Sequence, residues 1–232
     1  MTSCLICHDV MRNVPTWRFL IQRAENEQIC ADCAEKFELI SGDTCRCGRS
    51  LLLLEAAYQE NGQCLDCKRW EEGGDALTKN VSLYTYNEWM KDVMATFKFR
   101  GDYELREAFR VKWMNVYQQS FLPSHLVVPI PLSAKRLYER GFNQAEALGE
   151  LLGIKTQNAL TRLHSEKQSK RSRNQRLQSE QIFSVLTPEV VQGTSIVLID
   201  DIYTTGTTVR LAARSLLEAG ATEVASYTLA RG

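Results

Sequence analysis

The stretch SIVLIDDIYTTGTT, Ser195 to Thr208, decides the fold. Ile196-Val197-Leu198-Ile199 is a short, continuous apolar run, rich in β-branched side chains, and predicts a strand buried on both faces. It runs into two acids, Asp200 and Asp201. A loop of small hydroxyl residues around one glycine follows, Thr204-Thr205-Gly206-Thr207-Thr208. From there Val209, Ala212, Ala213, Leu216 and Leu217 recur at helical spacing until Gly220 ends the helix. The order is strand, acid pair, Thr/Gly loop, helix.

That order carries a binding chemistry. A helix amino terminus leaves backbone N–H groups unpaired and partially positive, which suits a phosphate. Gly206 lets the loop curl without a Cβ clash, and the threonine hydroxyls add donors. Carboxylates at the carboxyl end of a parallel strand can accept hydrogen bonds from sugar hydroxyls. A phosphate beside vicinal hydroxyls describes a ribose 5-phosphate. The competing reading is a buried strand with a polar end and threonines capping a helix. Two adjacent acids at a buried strand end are costly without a task, which favours the ligand.

Outward from this stretch, Val81–Tyr86, Leu126–Pro131 and Val224–Leu229 read as further strands. Helical periodicity lies between them, in Trp89, Met90, Val93, Met94 and Phe97, in Leu105, Ala108, Phe109, Trp113 and Val116, and again through Leu148, Leu151 and Leu152. Such alternation predicts a parallel sheet with helices on both faces and a ligand outside the carboxyl ends of the strands. After Pro131 the chain places Lys135, Arg136 and Arg140 in a strand-to-helix connection, a clamp suited to a diphosphate. Lys98 and Arg100 flank a turn, and solvated charge and phosphate or nucleic-acid contact are equal readings there. No G-x-G-x-x-G follows a strand and there is no Walker A loop, so dinucleotide and ATP sites, and a motor, lose support. His8, His125 and His164 read as structural or exposed rather than as a general base.

All eight cysteines lie before residue 68, which sets residues 1–75 apart from 76–232. Cys4-x2-Cys7 pairs with Cys30-x2-Cys33, and Cys45-x-Cys47 with Cys64-x2-Cys67. Each set supplies the four thiolates of a closed structural zinc site, one or two in all. A segment with so little apolar core needs such a staple. Disulfides are the weaker reading for an intracellular chain, and crossed pairing of the knuckles stays open. Cys45-Arg46-Cys47-Gly48 is one residue short of a CxxC knuckle, so its bite on a metal is expected to be strained. Trp17, Phe19 and Trp70 serve either as this module's small core or as stacking surfaces. Glu71-Glu72-Gly73-Gly74-Asp75 reads as a polar linker.

The 232 residues carry no net charge, but residues 1–80 hold nine Lys+Arg against thirteen Asp+Glu, leaving nineteen against fifteen beyond. The carboxyl part is therefore mildly basic, which permits anionic partners without demanding them. Much of this charge lies in residues 162–182, where Arg162, Lys167, Lys170, Arg171, Arg173 and Arg176 occupy a polar stretch expected to be a long mobile loop. Its charge density suits a nucleic-acid backbone, with affinity that falls as salt rises. No apolar run reaches membrane-span length, and MTSCLICHDV lacks a signal-peptide pattern, so the expected location is cytoplasmic.

The stretch at Asp200–Thr208 resembles the phosphoribosyl diphosphate (PRPP) motif of type I phosphoribosyltransferases. With the cysteine-rich beginning, PIPLSAKRLYERGFNQA, the Phe97–Asp102 turn and Gln168, Ser172, Arg173 and Arg176, nearly the whole chain resembles the competence protein ComF family. The resemblance implies a type I phosphoribosyltransferase-like domain preceded by a zinc ribbon, with Asp200 and Asp201 as catalytic acids. It also implies PRPP held by Thr204–Thr208, Lys135, Arg136 and Arg140, with Mg²⁺, and, as the competing reading of residues 162–182, a flexible loop that closes over it. It further implies a role in DNA uptake for natural transformation, with single-stranded DNA on Lys167, Lys170, Arg171, Arg173 and Arg176. The partners it implies are the competence DNA helicase and recombination mediators at the inner membrane face. A working transferase with an unidentified acceptor and a PRPP sensor without turnover are the alternatives. A nucleobase-recognising hood is not legible in the chain, although the zinc module is a candidate for that place.

Overall fold

The computed structural model describes residues 2–11, 28–99, 102–163 and 182–232. In chain order these form β1 (Thr2–Ser3), β2 (Val10–Met11), α1 (Ala31–Glu35), β3 (Gln59–Glu60), β4 (Gln63–Cys64) and α2 (Leu65–Glu72). Then come β5 (Asn80–Thr85), α3 (Glu88–Phe99), α4 (Arg110–Ser120), β6 (Leu126–Pro129), α5 (Ala134–Arg140) and α6 (Gln144–Glu150). The chain continues through β7 (Leu160–Arg162), β8 (Phe183–Val185), α7 (Pro188–Val191), β9 (Ser195–Tyr203), α8 (Thr207–Glu218) and β10 (Glu223–Arg231). Among the described residues no helix is long and apolar enough to cross a membrane.

Four of these strands form a parallel sheet in the order β5-β10-β9-β6, packed by helices as the alternating pattern predicts. Ile196, Val197, Leu198 and Ile199 are fully buried, as expected of a central strand covered on both faces. The apolar stripe of α8, Val209, Ala212, Ala213 and Leu216, is buried too. On α4, the Trp113 ring stacks on Tyr227 of β10 at 3.8 Å and its Nε1 donates to the Leu148 carbonyl at 2.9 Å.

One boundary differs from expectation in a way that matters for the site. The central strand does not end at the acids; it runs on to Tyr203, because β10 pairs with it from Glu223↔Ser195 to Arg231↔Tyr203. Its other neighbour stops early, with Pro129 opposite Ile199. Beyond that point, among the described residues, one edge of β9 has no strand beside it, and that is where Asp200 and Asp201 lie.

The stretch after residue 160 also differs in part. Of residues 162–182 the first is strand and not loop: Arg162 ends β7 and pairs antiparallel with Phe183 on β8. The candidate nucleic-acid residues Lys167, Lys170, Arg171, Arg173 and Arg176 lie outside the described residues, as do His164, Gln168, Ser172, Trp17, Phe19 and Arg100.

The later part of the cysteine-rich segment packs into the sheet's own core. Cys45, Cys47, Cys64 and Cys67 belong to one continuous buried cluster with the strands and helices described above. Residues 38–40 run antiparallel beside β5, Ile40 N donating to Leu83 O at 3.0 Å and Thr85 N to Glu38 O at 2.9 Å. The run Glu71–Asp75 completes α2 and delivers Asp75 inward. That carboxylate is 4% exposed, and its burial is balanced by Arg210 at 2.9 Å and Arg46 at 2.8 Å.

Candidate functional site

The Thr/Gly loop follows the carboxyl end of β9 and opens α8. Gly206 begins the helix at φ +79°, in the left-handed region, and a Cβ there would collide with the Arg210 guanidinium and the Tyr203 phenol. Only glycine meets both demands. The Thr205 and Thr207 hydroxyls are 2.9 Å apart, and Thr207 N donates to Thr205 Oγ1 at 3.4 Å. The loop closes around a recess of about 30 Å³ lined by Asp200, Thr204–Thr208 and neighbouring residues. One acid, the hydroxyl loop and the helix amino terminus therefore share one concavity.

The two acids have separate surroundings, as expected of successive residues on a strand, whose side chains point to opposite faces. Asp201 pairs with Lys98 of α3 at 2.8 Å, with both side chains largely buried. Asp200 faces the recess, and its carboxyl is pushed up to about 7. Burial is the main cause and the neighbouring Asp201 charge the next; a hydrogen bond from Asp201 N, Lys98 and Arg162 pull the other way. Arg162, at the end of β7, has its own pKa lowered by burial first and by Arg136 second, with Asp200 opposing. Arg136, Arg162 and Asp200 are thus electrically linked.

The remaining clamp candidates sit farther out. Lys135 is 86% exposed and loosely paired with Glu139 at 3.8 Å. Arg140 ends the exposed helix α5 and donates to Gln144 Oε1 at 2.9 Å. The fold brings Asp200 and Thr204–Thr208 together, adds Lys98 on the far face of the acid pair, and links Arg136 through Arg162. His125 packs at the surface, with Nε2 3.5 Å from Glu223.

Each cysteine quartet converges as the uncrossed pairing predicts, with all sulfurs within 4.8 Å of one another. Cys7 Sγ lies 3.7 Å from Cys30 Sγ, and Cys47 Sγ 3.6 Å from Cys64 Sγ. A tetrahedral zinc with sulfurs at ~2.3 Å spaces them about 3.8 Å apart, so both quartets fit the ion. The second, expected to be strained by its short knuckle, is the fully buried one. Gly48 resolves the short bite: at φ +77° it turns the chain back, its N–H donating to Cys45 O at 2.8 Å. In that quartet the Cys47 thiol is driven strongly down, first by hydrogen bonds from Cys45, Cys64 and Cys67, while Cys64 and Cys67 are driven up. Four thiols this close cannot all ionise without a cation between them.

Three further groups complete the region: Trp70, which the sequence leaves between module core and stacking surface, and two arginines it does not single out. Trp70 on α2 donates through Nε1 to Thr205 O at 3.2 Å. Arg210, 4% exposed, hydrogen-bonds the Tyr203 hydroxyl as well as Asp75. Arg231, also 4% exposed, donates to Thr204 O at 2.8 Å and to Cys47 O at 3.2 Å. A signal for Arg231 existed: it is a charge closing a buried strand, the kind of anomaly that singled out Asp200 and Asp201.

Residues 140–232 match the family model described as "Phosphoribosyl transferase domain". Over 234 aligned residues the chain is 41% identical to the competence protein ComFC of Bacillus subtilis (strain 168), covering 98% of this chain and 94% of that one. It is 34% identical to the competence protein ComFC of Streptococcus pneumoniae (strain ATCC BAA-255 / R6), covering 99% and 100%. Among solved structures, the glutamine PRPP amidotransferase of B. subtilis aligns at 26% identity and TM-score 0.39 over 53% of this chain, which spans only 26% of that larger one. With a relative of such identity matched over nearly its whole length, the chain belongs to the ComFC competence-protein family and carries that family's phosphoribosyltransferase-type domain.

Proposed function

We propose that the recess at β9 and α8 binds PRPP with magnesium, and that this pocket serves the handling of incoming single-stranded DNA during competence. The observation that carries the reading is the meeting of Asp200 with Thr204–Thr208 at the amino end of α8. In this reading the loop N–H groups and hydroxyls hold the 5-phosphate. Asp200 accepts the ribose hydroxyls, and Asp201, held by Lys98, fixes the charge balance beside it. Arg136 and Arg162 face the diphosphate, with Lys135 and Arg140 on the exposed helix beyond. Magnesium fits this set of hard oxygen donors and, when bound, would neutralise diphosphate charge.

The test is calorimetric titration with PRPP and Mg²⁺. Saturable one-to-one binding is expected, weakened at least tenfold (about 1.4 kcal/mol) in Asp200→Asn. Absence of binding to the intact protein would overturn the pocket. Release of diphosphate with some acceptor would identify the transferase alternative, and binding without release the sensor.

The nucleic-acid part of the proposal has a structural motive. The segment after Leu163 leaves and re-enters through β7 and β8, its ends tied by Leu163 N to Ile182 O at 2.8 Å. The two residues that bracket the basic stretch in the sequence, Leu163 and Ile182, therefore meet next to Arg162 at the end of β7. Neutralising Lys170, Arg171 and Arg173 together should weaken single-strand binding and flatten its salt dependence by roughly three phosphate contacts. Unchanged affinity would remove the DNA surface from this segment. The competence helicase, recombination mediators and attachment at the inner membrane face belong to the same proposal.

A further inference from the structure

We propose that Arg231, Arg210 and Trp70 are positioning residues for the Tyr203–Thr208 loop, and that the second cysteine quartet, loaded with metal, is the anchor from which they act. This inference deepens the PRPP reading and, for its ligand arm, rests on it. The first quartet takes no part.

Arg231 grips both sides with one guanidinium. Its Nε donates to Cys47 O at 3.2 Å and its Nη2 to Cys47 Sγ at 3.5 Å. Its Nη1 donates to Tyr203 O at 3.2 Å and Thr204 O at 2.8 Å. A planar, always-charged fork suits two such edges, and a lysine could satisfy only one. Four thiolates on one divalent zinc leave a net charge of about −2, so this buried arginine is also the centre's countercharge. With the metal gone, nothing pins Cys47 in place, and Arg231 loses its fixed acceptors on that side.

Helix α2 makes the second connection. Cys64 is its N-cap and Cys67 lies in its first turn, so the metal fixes this end of the helix. Trp70, three residues beyond Cys67 and therefore on the same side of the helix, donates to Thr205 O at 3.2 Å. Arg210 supplies the third: its guanidinium lies over the Trp70 ring, 4.7 Å from the centroid, donates to Asp75 at 2.9 and 3.2 Å, and also reaches the Tyr203 hydroxyl. Among the described residues no hydrogen bond joins Cys4, Cys7, Cys30 or Cys33 to the loop. Coupling of this kind is reciprocal: whatever the metal does for ligand binding, the ligand does for metal retention.

The experiment uses the full-length zinc-loaded protein. Hydrogen exchange of the amides in residues 203–208 is compared in wild type, Cys67→Ser and Cys7→Ser, with zinc content measured for each. Both variants should lose one zinc, but loop exchange should rise at least tenfold only in Cys67→Ser. Equal exchange in the two variants would overturn the inference. Should Cys67→Ser fail to fold, Trp70→Phe and Arg231→Lys, which keep all eight thiols, carry the same test: faster loop exchange in both supports the brace, and wild-type exchange in both sinks it. In the ligand arm, PRPP with Mg²⁺ should slow transfer of one of the two zincs to a chromogenic chelator about tenfold, the size of coupling common between linked sites. If PRPP binds yet both zincs leave at unchanged rates, the coupling is refuted. If PRPP does not bind wild type at all, the pocket reading fails, while the exchange data still decide the brace.

Discussion

The two cysteine quartets have the same ligands and different situations. The first has Cys7 exposed and Cys30 half-buried, and neither it nor its buried partners joins the continuous core. The second has all four cysteines buried within that core, and one thiolate rests against a guanidinium that also holds the Thr204 carbonyl. Regular spacing marks a knuckle that can close by itself. The irregular Cys45-x-Cys47 knuckle closes because Gly48 and the sheet close it, so burial supplies the order that local sequence does not. The first quartet is a staple for its own segment, whereas the second is continuous with the wall of the proposed binding site.

Metal removal is the strongest way to break this comparison. Structural zinc contributes on the order of 10 kcal/mol to small folds. Chelator titration followed by calorimetry should therefore show one step that barely alters the melting of the sheet and a second that abolishes its cooperative transition. Two equivalent steps would erase the distinction between the quartets. Next in size is Asp75→Ala, which leaves Arg210 and Arg46 without their buried partner. Breaking such a pair costs about 3–5 kcal/mol, read as a lower urea midpoint.

Asp200 sharpens the comparison through pH. Its carboxyl is raised to about 7 in the folded chain from an ordinary 3.8, so between those values the native state holds more protons than the unfolded one. Its favourable share of stability is complete below about 4, is lost as pH rises through 7, and is constant beyond. Asp200→Asn should flatten the urea-midpoint profile across that window and raise stability at pH 8 by one to a few kcal/mol. An unchanged profile would show that the acid titrates normally. The smallest effect belongs to Trp70→Phe, which keeps the ring under Arg210 and removes one hydrogen bond: about 1 kcal/mol or less of stability, with the change in exchange confined to the loop.

Much of this was legible because the signals were local. An apolar run, two acids, a glycine among threonines and a helical stripe lie within 26 residues, Ser195 to Gly220, and each bears its meaning without a distant partner. Lys98 was read evenly as surface charge or ligand contact because its acid is 103 positions away. Asp75 looked like linker because its neighbours are glycine and glutamate; it is buried by an arginine 135 residues later. Lys135 and Arg136 read alike as adjacent cations on a short helix, yet Lys135 is paired with Glu139 while the charge of Arg136 is felt by Arg162. Chain pattern locates an unusual charge, but only the fold decides what answers it.

The order of the sheet has a further consequence, for synthesis. β5 borders β10, and β10 begins at Glu223, about 140 residues after β5 ends at Thr85. At roughly 5–20 residues per second, Leu83 and its apolar neighbours leave the ribosome many seconds before their strand partner exists. Through that interval the amino-terminal part of the nascent chain presents an unpaired edge, and it is there that a holdase or an early-bound metal would do most to keep new molecules from pairing with one another.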